Sequence, residues 1–177
     1  SVDHADTNNI TLLQLQKLLE IIPKEKITVA QNAAGFELPV MYNAFGEAWK
    51  DNGYRGFFPN MVDSRIAASY WDENQPSHGL KQLSKLLLGY EQETYAEVTG
   101  GKKMHELTAQ HVLSYGIDDV VCTVGIWNFF RIIMEIEDSF EAFMRIEQKP
   151  MYLSALSYVQ GTPISLARLF ELKKADE

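Results

Sequence analysis

The chain reads as an α/β domain that is mostly helical. Three observations lead there. Two short runs, Lys26 to Ala30 and Met61 to Asp63, have the composition of strands, and each leads into a helical stretch. Several longer segments carry apolar residues at helical spacing. The 177 residues are 46% hydrophobic, with 9 Phe, 8 Tyr and 3 Trp, enough for a core of ordinary size. Two or three strands are few for an α/β domain, so further strands are expected to belong to the sheet.

The elements follow in order. Residues 1–9 are polar and rich in capping residues. Ile10 to Ile22 predicts a helix, with Asn9 as N-cap and Pro23 as stop. After the first strand, Gln31 to Gly35 turns into a helix from about Glu37 to Asn52. Gly53 to Asn60 is a loop, and the second strand feeds a helix near Arg65 to Trp71. Asp72 to Ser77 is a loop containing Pro76. Gly79 to Leu88 predicts an amphipathic helix with Leu80, Leu83, Leu86 and Leu87 on one side. Thr99 to Lys103 is a glycine-rich loop. Helices are predicted from Glu106 to Tyr115, Ile117 to Glu137, Phe140 to Gln160 and, after a break at Gly161, Ser165 to Lys173.

Composition excludes several classes. The single cysteine, Cys122, rules out a disulfide framework and a Cys-rich zinc site, and its apolar surroundings mark it as core. His4, His78, His105 and His111 have no zinc spacing. No stretch has the length of a membrane span. The formal charge of −8 argues against gripping nucleic acid by bulk charge alone. It leaves open an enzyme that meets nucleic acid through metal ions held by carboxylates. The chain starts at Ser1 without Met, and is expected to be processed or an excerpt.

Two constellations carry chemistry. In Asn32-Ala33-Ala34-Gly35-Phe36-Glu37 a carboxylate opens a helix just beyond a strand. Such a group can hold a hard divalent cation, or serve only the helix dipole. In Tyr115-Gly116-Ile117-Asp118-Asp119, Tyr115 and Asp119 share a helix face, and Thr123 lies one turn on. A phenol beside a carboxylate suits a metal-bound water; packing and capping are the alternative. Asp63 reads as an N-cap, and His78 as a loop histidine before a helix.

Taken in order, these pieces resemble the 3′→5′ proofreading exonuclease domain of family A DNA polymerases, the bacterial polymerase I type and its phage relatives, with a DEDDy site. Asn32-x-x-x-Phe36-Glu37 is similar to the second exonuclease motif, and Tyr115-x-x-x-Asp119 to the third. Asp63 with Ala67 to Tyr70, His78 to Gly89, and Thr94 to Val98 with Gly100 resemble the intervening segments. Phe143 to Leu172 resembles the lead into the polymerase domain.

The resemblance implies a partial ribonuclease H-like fold lacking its N-terminal strands. Residues 1–139 would be the C-terminal part of the exonuclease domain, and 140–177 the start of the polymerase domain. The first motif, an Asp-x-Glu, would lie upstream; Asp3 and Asp6 do not form it. It implies a two-metal site for Mg2+ or Mn2+, with Asp119 and Glu37 as ligands and Tyr115 orienting the attacking water. Phe36 and Tyr95 would stack on frayed bases of a single-stranded 3′ DNA end. Asn32 and His78 would line its path, and Lys81, Lys85, Lys102 and Lys103 would meet phosphates. The partners implied are DNA and the rest of the polymerase, in the cytoplasm of a bacterium or a phage-infected cell.

The sequence departs from the pattern at Glu37, where the family carries Asp. That departure favours the alternative of a catalytically silent scaffold that holds single-stranded DNA, and the fragment alone, lacking the first motif and its carboxylates, is expected to be nearly inactive. If the metal reading holds, Glu37 and Asp119 should face a common site with Tyr115 adjacent.

Overall fold

A computed structural model describes residues 10–46, 58–161 and 163–175. Asp3, His4, Asp6, Asn9, the stretch expected to continue the second helix to Asn52, and the loop from Gly53 to residue 57 lie outside the described residues. Helix α1 spans Leu12–Glu20, and its N-cap is Thr11, whose hydroxyl accepts from the Gln14 N–H while Gln14 reaches back. That reciprocal cap replaces the Asn9 expectation.

Strands β1 (Thr28–Ala30) and β2 (Met61–Asp63) form a parallel pair, with Val29 opposite Val62. Parallel strands need a crossover between them. Helix α2 (Glu37–Phe45) lies in it and ends at Gly46, whose φ of 41° is a left-handed value that suits glycine.

Side chains alternate across the pair, so each face builds its own core. Ala30 and Met61 join Leu19 of α1, Leu38 of α2, and Met151 and Ala155 of α8 (Pro150–Gln160). Val62 joins Ala67 and Ala68 of α3 (Ser64–Trp71), and Leu83 of α4 (Leu80–Leu83). Ile126, Trp127, Phe130 and Met134 come to that second core from the long helix α6 (Ala109–Ile136), and Phe143 from the segment after it. Helices therefore cover both faces of a two-stranded parallel sheet, an α/β layering. No helix among the described residues is long and apolar enough to cross a membrane.

Three expectations change. Helix α6 runs unbroken through Ala109–Ile136, 28 residues, where two helices meeting at Gly116 were expected. One interior glycine costs only about 1 kcal/mol, and the buried face beyond it outweighs that. A Cβ at Gly116 would meet nothing within 4 Å. Gly116→Ala should therefore stabilise the protein by about 1 kcal/mol in urea unfolding. At Gly125 a Cβ would meet Leu88 Cδ1 at 3.0 Å, so Gly125→Ala should gain less or lose stability.

Second, α4 passes into a wide π-helical turn at Ser84–Leu88. The extra residue per turn carries Leu86 to the outside, 60% exposed, while Leu83 is fully buried. Third, the helix expected over Phe140 to Gln160 is interrupted. Helix α7 (Phe140–Ala142) continues as a π-helical turn, Phe143–Glu147, and Pro150 opens α8 at its first position. Proline has no N–H to continue the ladder, so it starts a helix better than it extends one. Residues 140–160 nonetheless tie into the sheet. Gln148 Oε1 accepts from the Asp63 N–H at 3.2 Å, and Tyr152 donates to the Phe58 carbonyl at 2.6 Å. Helices α5 (Tyr95–Thr99) and α9 (Leu166–Ala175) complete the α-helices among the described residues.

Candidate metal and nucleic-acid site

The site begins where β1 ends. Asn32 takes a left-handed φ of 67°, which asparagine tolerates better than most residues, and the chain turns sharply into α2. Gly35 permits the turn, because a Cβ there would lie 2.9 Å from the Asn32 side chain. The turn is held from β2. The Asp63 carboxylate accepts from the N–H groups of Asn32 at 2.9 Å, Ala33 at 2.6 Å and Arg65 at 2.8 Å. It is 1% exposed, and burial raises its pKa while these hydrogen bonds oppose the rise. Asp63 is thus the N-cap of α3, as expected, and also the anchor of the Asn32 turn.

This anchoring sets Glu37 at the first position of α2. Glu37 lines a cavity of about 450 Å³ together with Asp119 of α6. Phe36, Val29, Met41, Phe58, Leu80 and Val124 give that cavity its apolar wall. Oε2 of Glu37 is buried without a hydrogen-bond partner among the described residues. Burial, and then the nearby Asp63 charge, hold the Glu37 carboxyl above its ordinary 4.5, against a backbone hydrogen bond that lowers it.

Asp119 lies on α6, one turn beyond Tyr115. Its Oδ1 accepts from Gln92 Nε2 at 2.9 Å and lies 3.9 Å from Lys81 Nζ. Burial raises its pKa, Lys81 and Gln92 pull it down, and Asp118 raises it. Tyr115 sits in the seventh position of α6 rather than at a helix start. Burial keeps its phenol above the ordinary 10.0, with the Asp119 charge and Tyr95 adding to the rise. Thr123 donates its hydroxyl to the Asp119 carbonyl at 2.7 Å and lines the same cavity.

Beyond Glu37 and Asp119, Tyr115 and the other expected site residues, Phe36 excepted, do not line this cavity. Asn32 spends its side-chain oxygen on Arg65 Nη1 at 2.9 Å. His78 places Nε2 against the Asp72 carbonyl at 2.8 Å, and its own carbonyl accepts from Gln31 at 2.9 Å. Tyr95 opens α5, half-exposed. Lys102 and Lys103 are exposed on the loop before a 3-10 turn at Met104–Glu106. Lys85 pairs with Glu91 at 2.6 Å. Sequence reasoning missed Gln92, 6% exposed with Oε1 unpartnered; a glutamine in a loop carries no signal of its own.

No group of three or more His, Cys, Asp or Glu among the described residues forms a metal cage. The two carboxylates at the cavity still fit a hard cation in part. Magnesium is commonly held by one or two carboxylates, with water and substrate phosphate supplying the rest. The Glu37 Oε2, buried without a hydrogen-bond partner among the described residues, is an oxygen of the kind such a cation takes.

The raised Glu37 pKa has a consequence for stability. The folded state holds the proton more tightly than the unfolded chain, so stability falls as pH rises through and above 4.5. Below that value both states are protonated and the cost vanishes. Glu37→Gln should therefore raise the melting temperature at neutral pH, with the gain shrinking toward pH 4. A gain independent of pH between 4 and 7 would contradict this origin.

A family model described as a 3′-5′ exonuclease, of the DNA polymerase A type, matches residues 2–135. No curated protein and no solved structure matches the chain.

Proposed function

Because the chain belongs to the 3′-5′ exonuclease family, we propose that it is part of a family A DNA polymerase that removes nucleotides from frayed 3′ DNA ends. The observation that carries the reading is that Glu37 and Asp119, distant in sequence, line one cavity. A bound Mg2+ or Mn2+ would supply a Lewis acid. Asp119 and Glu37, which line the cavity, would hold it. The Tyr115 phenol, one turn before Asp119 on α6, would orient the attacking water. Phe36, exposed at the cavity rim, and Tyr95 stack on the terminal bases, and Lys102 and Lys103 meet phosphates. Asn32 and His78 support the path from within the fold, because both side chains are engaged there. A mismatched end frays at lower cost, so it reaches the site more often.

The fold proposed is a partial ribonuclease H-like domain. Two features support an incomplete sheet. Among the described residues the sheet is a parallel pair by itself, which is unusual, since parallel sheets are normally larger and covered on both faces. Helix α6 also exposes Leu113, Ile117, Val120 and Val121, and a helix apolar on all sides normally belongs in an interior. The remaining metal ligands are assigned to a preceding segment of the parent, which makes these residues alone a poor nuclease. Residues 140–177 are assigned to the start of the polymerase domain, and Phe143, Met151 and Ala155 of that range pack into the two cores of the sheet. The parent is placed in the cytoplasm of a bacterium or a phage-infected cell.

The test is digestion of single-stranded oligonucleotides by the parent polymerase. Single nucleotides should leave the 3′ end only, and chelation of divalent ions should stop them. Release from the 5′ end, or undiminished release in EDTA, would sink the reading. Glu37 favours a second reading, a catalytically silent domain that holds single-stranded DNA. Oligonucleotide binding without digestion in Mn2+ would select it.

A further inference from the structure

Lys81 follows the first residue of α4, and its sequence context marks it only as a possible phosphate contact. Its ammonium turns elsewhere. It donates to the Glu93 carbonyl, lies 4.5 Å above the centre of the Tyr115 ring and stands 3.9 Å from Asp119 Oδ1. Gln92, in the same loop as Glu93, donates to that same Oδ1 at 2.9 Å. One ammonium and one buried amide thus join α4, the loop before α5, and α6.

We propose that Lys81 is a positioning residue for the Asp119–Tyr115 pair, an inference that rests on the nuclease reading above. One hydrogen-bond donor, Gln92, and one ammonium, Lys81, converge on a single carboxylate oxygen, and Oδ2 keeps no partner among the described residues. The ammonium meets the face of the Tyr115 ring and leaves the hydroxyl unspent, a contact favourable to a cation over an aromatic ring. Tyr90 provides the contrast, since its hydroxyl is consumed by Asp118 Oδ2 at 2.8 Å. The two atoms left free, Asp119 Oδ2 and the Tyr115 hydroxyl, are those that the proposed chemistry uses. Gln92 supports the same carboxylate edge, and Lys81 meets both members of the pair.

The experiment is NMR of the full chain with selectively labelled Lys, Tyr and Asp. The Lys81 Cε protons should resonate upfield of those of the other lysines, displaced by the Tyr115 ring. Tyr115→Leu should abolish that displacement. Lys81→Met should shift both the Tyr115 ring signals and the Asp119 carboxyl signal, and Lys81→Arg should return both part of the way. Lys81→Met that lowers the melting temperature without moving either signal overturns the proposal, because a purely structural contact behaves so. It is overturned equally if Lys81→Met changes only the affinity for an oligothymidylate and its salt dependence, which would make Lys81 a phosphate contact. In the parent polymerase, Lys81→Met should lower kcat about tenfold, the scale of lost ligand support, with KM little changed. The NMR readouts need no digestion, so an inactive parent would sink the nuclease reading and leave the Lys81 result standing on its own signals.

Discussion

Asp119→Ala in the parent polymerase should reduce 3′ nucleotide release by at least about 100-fold, since substitutions one step further from a metal already cost 10–100-fold. Asp119 is the carboxylate that α6 brings to the cavity, and its Oδ2 has no other partner among the described residues. It is half-exposed, so its loss should leave the melting temperature within a few degrees of wild type. Asp119→Asn keeps the size and a carbonyl for Gln92 while removing the charge. A comparable loss in Asn and Ala would place the effect in the charge rather than in the packing. Digestion unchanged in both variants would end the catalytic reading.

Glu37 refines the same experiment. Its side chain is one methylene longer than Asp, and a reacting group displaced by about 1 Å can cost on the order of 100-fold. Glu37→Asp should therefore raise the digestion rate if Glu37 holds the cation. A rate that falls instead would mean that α2 has adjusted to the longer arm. The buried, partnerless Oε2 gives the substitution its reason.

Asp63→Ala should cost about 3–5 kcal/mol of stability, the largest loss expected from a single site in the sheet region. Three backbone N–H groups converge on this carboxylate, and it is 1% exposed. Each buried donor left unpaired costs about 1–3 kcal/mol, and water entering the gap recovers part. For a chain of this size the loss corresponds to about 10 °C in melting temperature. Asp63→Asn keeps one acceptor and should lose less. A melting temperature for Asp63→Ala within about 2 °C of wild type would show that the turn does not depend on this cap.

Much of the fold was legible in the residues. Both strands, the turn at Asn32 and helices α1, α3 and α9 follow from local pattern, because apolar spacing and caps act over a single turn. The exceptions were decided by distant contacts. Gly116 looked like a break, and buried packing beyond it carried the helix through. The π-helical turns at Ser84–Leu88 and Phe143–Glu147 have no signature in apolar spacing, since an extra residue per turn is accommodated by what the helix packs against.

The site divides along the same line. The sequence by itself determined which groups stand near one another along the chain. Asp119 must share a face with Tyr115, because residues one turn apart in a helix do so whatever surrounds them. A carboxylate must open α2, because the strand ends and the chain turns just before it. Only the tertiary structure decided which carboxylates are free to act. Asp63 and Glu37 both sit at the ends of short elements in the sequence. The fold spends Asp63 on backbone donors 30 residues away in the chain, and leaves Glu37 with a bare oxygen beside Asp119. The reason is that burial and hydrogen-bond satisfaction belong to neighbours in space, and those neighbours come from segments that sequence spacing does not relate.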